Sequence, residues 1–259
     1  MYCDDAIFDG VKLSDQGFMI ASFDNNDTIN AGSNIEFTHT FNGENWLKTD
    51  AKYSEQLTFS FSIIKNPCEP DYKTYFTRED IGFVMRWFVR KEYCLFHPLE
   101  DGHENLYYNC VFKATERIAN GQVIGFDFEG TCDAPFGYGE EIKINLYNSS
   151  STQQIYDSSD EIGSTVPYIE ATCVNNGDIE IQNCDTKKTT IVKNCKANEV
   201  ITFYPDYQIT SSTNRTDLAK SFNYCFFEFG NTLNNRVTDV NVTNCNLLLK
   251  YRPKRKGGV

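Results

Sequence analysis

The residues of this 259-residue chain that could do chemistry are few and scattered. Its three histidines are His39, His97 and His103, and no Gly-x-Ser-x-Gly elbow accompanies them, so a serine-hydrolase triad would have a base without a nucleophile. Asp4 with Asp5, and Glu140 with Glu141, are adjacent carboxylates. Neighbouring side chains on a strand face opposite ways, which suits solvated charge better than two acids flanking one glycosidic bond. Cys94, His97, His103 and Cys110 mix soft ligands and could meet across a hairpin as a tetrahedral zinc site. Against that reading, both cysteines sit in apolar runs, and His103 beside Gly102 has the setting of a turn residue. Gly137-Tyr138-Gly139 lacks the lysine and the glycine count of a phosphate loop. The expectation is a chain with no catalytic residue, no cofactor and no metal, and therefore not an enzyme.

Ten cysteines would ordinarily suggest a disulfide or metal framework, but no pair has the C-x-x-C spacing of a zinc knuckle or redox site. The first ten residues lack the basic and apolar regions of a secretory leader, and no apolar run reaches the ~18 residues of a membrane span. The cysteines are then expected to stay reduced and to pack as small hydrophobes, with no membrane partner. Net charge is −12, although the last ten residues hold five Lys or Arg and no acid, which leaves the rest of the chain more acidic still. Such a body repels phosphate, so specific nucleic-acid binding is not expected.

What would position these residues is mostly sheet. Phe and Tyr number 20 and 15, among many Thr and Asn, a composition that favours pleated surfaces. Residues 6–13 and 17–20 read as two short strands about a turn at 14–16. Residues 35–41 alternate strictly, which predicts one face on a core; residues 57–64 do the same. Between them, residues 42–52 are polar, contain Gly43 and look too long for a tight hairpin. One helix is predicted, with Thr77 as N-cap, Asp80 reaching back to it, and Ile81, Val84, Met85 and Phe88 as its apolar stripe. Residues 93–96 and 106–112 should form a hairpin about 100–103, and 122–130 a last strand before the Pro135 to Gly139 cluster, taken as the domain boundary. From residue 141 onward only strands are read, at 142–147, 165–174, 178–182, 189–192, 200–204, 222–229, 238–242 and 247–251, a β-sandwich or jelly roll. The spacing of Cys173, Cys184 and Cys195 is taken as β-meander geometry.

Three stretches in this order resemble the distal tail protein family of siphophages. They are Ile7-Phe8-Asp9-Gly10-Val11 through Gly17-Phe18, the helix with Met85-Arg86-Trp87-Phe88 before a Tyr-rich hairpin, and Phe126-Asp127-Phe128 running through Cys132 to Pro135-Phe136. An extra Glu-Gly-Thr between Phe128 and Cys132 departs from the family's F-x-C-x-x-P crossing. The resemblance implies a mainly β protein: residues 1–138 as a β-sandwich-like domain with one helix, and 139–259 as a galectin-like β-sandwich. It also implies a homohexameric ring at the virion tail tip, made in the host cytoplasm. The N-terminal domains would stack on the tail tube, and the C-terminal domains would hold tip and receptor-binding proteins. Residues 42–52 resemble the arm by which one subunit grips the next, with Asn42, Trp46 and Lys48 at the interface; an unstructured loop is the other reading. The alternative function is a carbohydrate-binding adhesin, but residues 139–259 contain no Trp and no His, which argues against carbohydrate recognition by this domain.

Overall fold

A computed structural model describes residues 5–23, 35–41, 47–53, 55–69, 73–99 and 105–256. The chain divides into two compact units, residues 1–139 with 255–259, and residues 140–254.

The first unit contains β1 (Asp5–Phe8), β2 (Val11–Lys12), β3 (Phe18–Phe23), β4 (Ile35–Phe41), β5 (Leu47–Tyr53), β6 (Thr58–Lys65), helix α1 (Arg78–Phe88), β7 (Cys94–Leu99), β8 (Tyr108–Ala119), β9 (Gln122–Cys132) and β10 (Gly137–Tyr138). Seven of these strands form one sheet in the order β2-β1-β7-β8-β9-β6-β3, and every pairing in it is antiparallel. The helix begins where the capping pattern predicts. The Thr77 hydroxyl accepts from the Asp80 N–H at 3.2 Å, and the Asp80 carboxylate accepts from the Thr77 N–H at 2.7 Å, which satisfies donors a helix start would leave open. Val84, Trp87 and Phe88 are its buried face. Trp87 lies inside the core, where its Nε1 donates to the Phe8 carbonyl at 3.1 Å. The helix and sheet together enclose a core of rings: Phe88 lies 4.4 Å from Phe128 and 5.0 Å from Phe8, centroid to centroid.

β8 and β9 form the longest hairpin in this unit, running past residue 112 to a turn at Asn120-Gly121, both at positive φ (51° and 76°). Asn-Gly is the pair that supplies two left-handed residues without strain, and its twist matches the strands.

The second unit contains β11 (Ile142–Leu146), β12 (Gln153–Tyr156), β13 (Gly163–Thr165), β14 (Tyr168–Cys173), β15 (Gly177–Asn183), β16 (Thr189–Cys195), β17 (Val200–Phe203), β18 (Ile209–Ser211), the one-turn helix α2 (Leu218–Ser221), β19 (Phe229–Asn231), β20 (Val237–Thr243) and β21 (Cys245–Tyr251). They form a five-stranded sheet, β11-β21-β14-β17-β18, a four-stranded sheet, β12-β20-β15-β16, and the pair β13-β19. The core lies between the larger sheets, with Ile169 and Leu249 from one meeting Ile181 and Val242 from the other.

Several expectations change here. The strand expected at 165–174 is two strands, β13 and β14, and most of 222–229 is irregular, with α2 just before it. Cys173 and Cys195 end strands in different sheets, because the chain crosses over between β14 and β15; the meander reading fails there. Asn194 and Asn244 both take left-handed φ (56° and 57°), and Cys195 and Cys245 directly after them are buried. At these two positions the Asn-Cys pair is a left-handed residue followed by a packed one, whereas at Asn183-Cys184 it is the Asn that is buried.

Candidate functional site

β4 and β5 pair with each other in register, Ile35 opposite Tyr53 through Phe41 opposite Leu47, and among the described residues they join no other sheet. This corrects two expectations. Residues 47–53 are a strand and not part of a long loop, so 35–41 and 47–53 form a two-stranded ribbon. The alternation of 35–41 does not place a face on the core either: Ile35 is 50% exposed and Phe37 59%. Period-two patterning reports that one face wants cover, not which surface supplies it. Ile35 and Phe37 share that face, and Tyr53, across from Ile35, is also exposed. The Lys256 ammonium lies 5.8 Å from the Tyr53 ring centre, near the limit for a cation–π contact. Of the three residues expected at an interface, Asn42 and Trp46 lie outside the described residues. Lys48 belongs to β5, opposite Thr40.

The zinc reading finds no support. Cys94 and Cys110 are directly opposed on β7 and β8, but His97, an odd number of residues along β7, faces away from Cys94. Its Nδ1 lies 2.9 Å from the Leu106 carbonyl oxygen and its ring stacks on Tyr107, the arrangement of a packed histidine; His103 lies outside the described residues. No group of three or more His, Cys, Asp or Glu among the described residues is placed to hold a metal ion. The nine described cysteines are free thiols. Burial pushes the Cys132 and Cys245 thiols up to about 12 and the Cys195 thiol up to about 11, so they are not thiolate nucleophiles near neutrality.

Ion pairs at the helix ends are structural as well. The Arg90 guanidinium donates to the Asp9 carboxylate at 2.6 Å and to the Trp87 carbonyl at 2.7 Å, tying the end of α1 to the turn after β1. The Asp9 hydrogen bond raises the Arg90 pKa further above its ordinary value.

Residues 1–134 match the family described as phage tail protein N-terminal domain, and residues 136–251 its partner, phage tail C-terminal domain. The chain belongs to this family of phage tail proteins. No curated protein is matched in sequence. Among solved structures, the tail protein is similar to the Dit (gp 19.1) protein of phage SPP1, with a TM-score of 0.67 at 14% identity, over 98% of this chain and 100% of that one. That structure is titled a paradigm of the hub adsorption apparatus in phages that infect Gram-positive bacteria. At this identity the likeness shows the fold.

Within that fold, the β4–β5 ribbon of the tail protein has described side chains, Ile35 and Phe37, that join neither core. The signal that could have found it was already in the sequence: residues 47–53 alternate polar and apolar weakly, and 42–46 is short enough for a hairpin connection. No helix among the described residues is long and apolar enough to cross a membrane, which says nothing of strands.

Proposed function

We propose that this tail protein is a distal tail hub: a non-enzymatic, ring-forming component at the tip of the tail. Its N-terminal unit, residues 1–138, stacks on the tail tube, and its C-terminal unit, 139–259, carries the tip and receptor-binding proteins. The observation that carries the proposal is the ribbon, an apolar-faced hairpin that its own unit leaves exposed. Covering a large apolar side chain contributes roughly 1.5–3 kcal/mol, and a neighbouring subunit repeating the same contact around a closed ring satisfies every copy at once. The two open edges of such a ribbon also invite pairing with another chain. Asn42, Trp46 and Lys48 then lie at the subunit interface, and the ring is a hexamer. The acidic body fits a ring through which DNA passes, since a negative lumen does not retain phosphate.

The test is to replace residues 36–52 with a short Gly-Ser turn and, separately, to make Phe37→Glu. Light scattering and negative-stain imaging should show a closed ring for the parent and monomers for both variants, with unchanged cooperative unfolding. A ring of the same size from the deletion variant overturns the reading.

A further inference from the structure

We propose that each unit carries a modification site, a pair of cysteines set to close as a cross-strand disulfide under oxidation: Cys110 with Cys132 in the first unit, and Cys173 with Cys245 in the second. In each pair the two residues are directly opposite on neighbouring antiparallel strands, Cys110 of β8 against Cys132 of β9 and Cys173 of β14 against Cys245 of β21. Directly opposed side chains share one face of a sheet, and all four belong to the buried cores of their units.

Opposition alone does not decide, because the two kinds of antiparallel site differ in spacing. Where opposed residues exchange no hydrogen bonds, their Cα atoms are about 4.5 Å apart; where they do, the distance is about 5.5 Å and the side chains are further separated. A disulfide needs its Cβ atoms within about 4.5 Å, so the site without hydrogen bonds is the one that closes without moving backbone. The hydrogen bonds put both pairs at sites of that kind. The Cys132 N–H donates away from β8, to the Leu57 carbonyl at 2.8 Å, and one step along the Asp133 N–H donates to the Asn109 carbonyl at 2.9 Å. The Cys173 N–H likewise donates away from β21, to the Glu199 carbonyl at 2.8 Å, and the next N–H, of Val174, donates to the Asn244 carbonyl at 2.9 Å.

Two further thiols show what the register selects. Cys94 is opposite Cys110 on its other side. There the Asp9 N–H donates to the Leu95 carbonyl at 2.9 Å, so Leu95 turns its backbone toward β1 and Cys94 turns its own toward β8. Cys94 and Cys110 are therefore a hydrogen-bonded pair with the wider spacing, and Cys110 closes on Cys132 and leaves Cys94 a thiol. Cys195 comes close to Cys173 and Cys245 from the facing sheet, where strand pairing does not fix its spacing.

Closing each pair removes two electrons and two protons, and a peroxide accepts them. One sulfur, as thiolate, attacks a peroxide oxygen; the O–O bond breaks, a sulfenic acid forms, and the departing hydroxide takes up the proton that the thiol lost. The second sulfur then attacks the first, the S–O bond breaks and water leaves, so two thiols and one hydrogen peroxide give one disulfide and two waters. Burial slows the first step, because it pushes the Cys132 and Cys245 thiols up to about 12. Cys132 and Cys173 are the last residues of their strands and Cys245 is the first of its own, and element ends open most readily, which admits a small neutral oxidant. The closed bonds constrain the unfolded chain, a gain that suits a tail protein, which folds inside a bacterium and serves outside it.

The test treats the full, folded chain with hydrogen peroxide and, separately, with a phosphine reductant. Remaining thiols are blocked with N-ethylmaleimide in denaturant, and linked peptides from trypsin and chymotrypsin digestion are assigned by tandem mass spectrometry. The oxidised chain should carry Cys110 linked to Cys132 and Cys173 linked to Cys245, with Cys94 and Cys195 alkylated, and should melt several degrees above the reduced chain. In the double variant Cys132→Ser with Cys245→Ser that shift should vanish. If the double variant does not fold, the linkage map of the parent alone decides. Absence of either link, a link from Cys110 to Cys94 or from Cys195 to Cys173 or Cys245, or sulfinic acid in place of either disulfide overturns the proposal, as does a melting shift that persists in the folded double variant.

Discussion

The two units solve the same burial problem with different side chains. In the first, one sheet and one helix face each other, and the space between is filled by rings: Phe61 lies 5.1 Å from Phe128 and 5.4 Å from Phe96, and Phe112 meets Phe8 edge-on at 5.1 Å. In the second, two sheets face each other and the shared core is mostly branched aliphatic, with Ile179, Val192, Ile201 and Val240 fully or almost fully buried. Facing sheets pack about 10 Å apart, a gap that short branched chains fill. A helix over a sheet leaves a less regular space, and large flat side chains with preferred edge-to-face and offset contacts fill it. Directional contacts of this kind make the first core harder to repack after a deletion.

The sharpest way to break that comparison is to remove one ring and trim one aliphatic chain. Phe128, fully buried against Phe88, should cost about 3–5 kcal/mol as Phe128→Ala, enough to unfold the first unit. Ile181→Val, in the second, should cost about 0.5–1.5 kcal/mol. Both tryptophans, Trp46 and Trp87, lie in the first unit, so their fluorescence follows it alone while far-ultraviolet dichroism follows both. Equal losses from the two substitutions would mean that the rings are no more specific a filling than the aliphatic chains.

The parts of the fold that were legible in the sequence are those whose pattern is completed locally. Helix α1 is announced by Thr77, Asp80 and an apolar stripe, and β6 by strict alternation ending in the sheet it predicts. The extension of β8 to Ala119 is equally legible through Asn120-Gly121, the pair that closes its hairpin with β9. β4 was misjudged for a physical reason: its alternation is the same whether the cover comes from its own core or from elsewhere. Residues 223–228 are irregular despite their strand-like Phe and Cys content, because Asn223 Oδ1 accepts from the Ile191 N–H of the edge strand β16 at 3.1 Å while the Phe226 ring meets Phe203 of β17 edge-on at 6.2 Å.

A smaller effect separates the units in acid. Glu199 in the second is 2% exposed; burial alone would raise its pKa, but hydrogen bonds from Ser211 at 2.5 Å, the Lys196 N–H at 2.8 Å and Thr213 at 3.0 Å, with Arg215 nearby, hold it below the ordinary value. Asp80 in the first is more open; burial again raises it, and Lys65 and Thr77 outweigh that. A carboxylate whose folded pKa is depressed contributes stability above its unfolded pKa and loses it as pH falls through the folded value. Both units should therefore weaken below the ordinary Glu and Asp range, near 4.5 and 3.8, the second more steeply. Glu199→Gln should cost the second unit about 1–3 kcal/mol at neutral pH and flatten its acid dependence. Asp80→Asn should cost the first about 1 kcal/mol. Melting curves from neutral pH down to about pH 3 check both, and a flat profile for the parent second unit would show that this network is not what holds it.

The smallest expected effect comes from two hairpin turns, one in each unit, that treat the same backbone problem in opposite ways. At Asn120-Gly121 the left-handed positions carry residues suited to them, so Gly121→Ala, forced to φ +76°, should lose about 1 kcal/mol. In the β17–β18 turn, Pro205 and Asp206 make an ordinary bend closed by the Tyr207 N–H on the Tyr204 carbonyl at 3.1 Å, and the residue that must then go left-handed is Tyr207. Glycine there would relieve roughly 1–2 kcal/mol of strain. It would also give up the edge contact to Phe226, about 0.5–1.5 kcal/mol, and add backbone freedom to the unfolded chain at about 0.5–1 kcal/mol. These contributions nearly cancel, so Tyr207→Gly should melt within about 0.5 kcal/mol of the parent by calorimetry. A clear loss, above about 1 kcal/mol, would make the tyrosine a fastener for residues 222–228, explaining its strain by packing alone. Near-neutrality leaves the ring without a structural reason to be there, and a residue held in a costly conformation for no gain in stability is one whose purpose lies outside the fold.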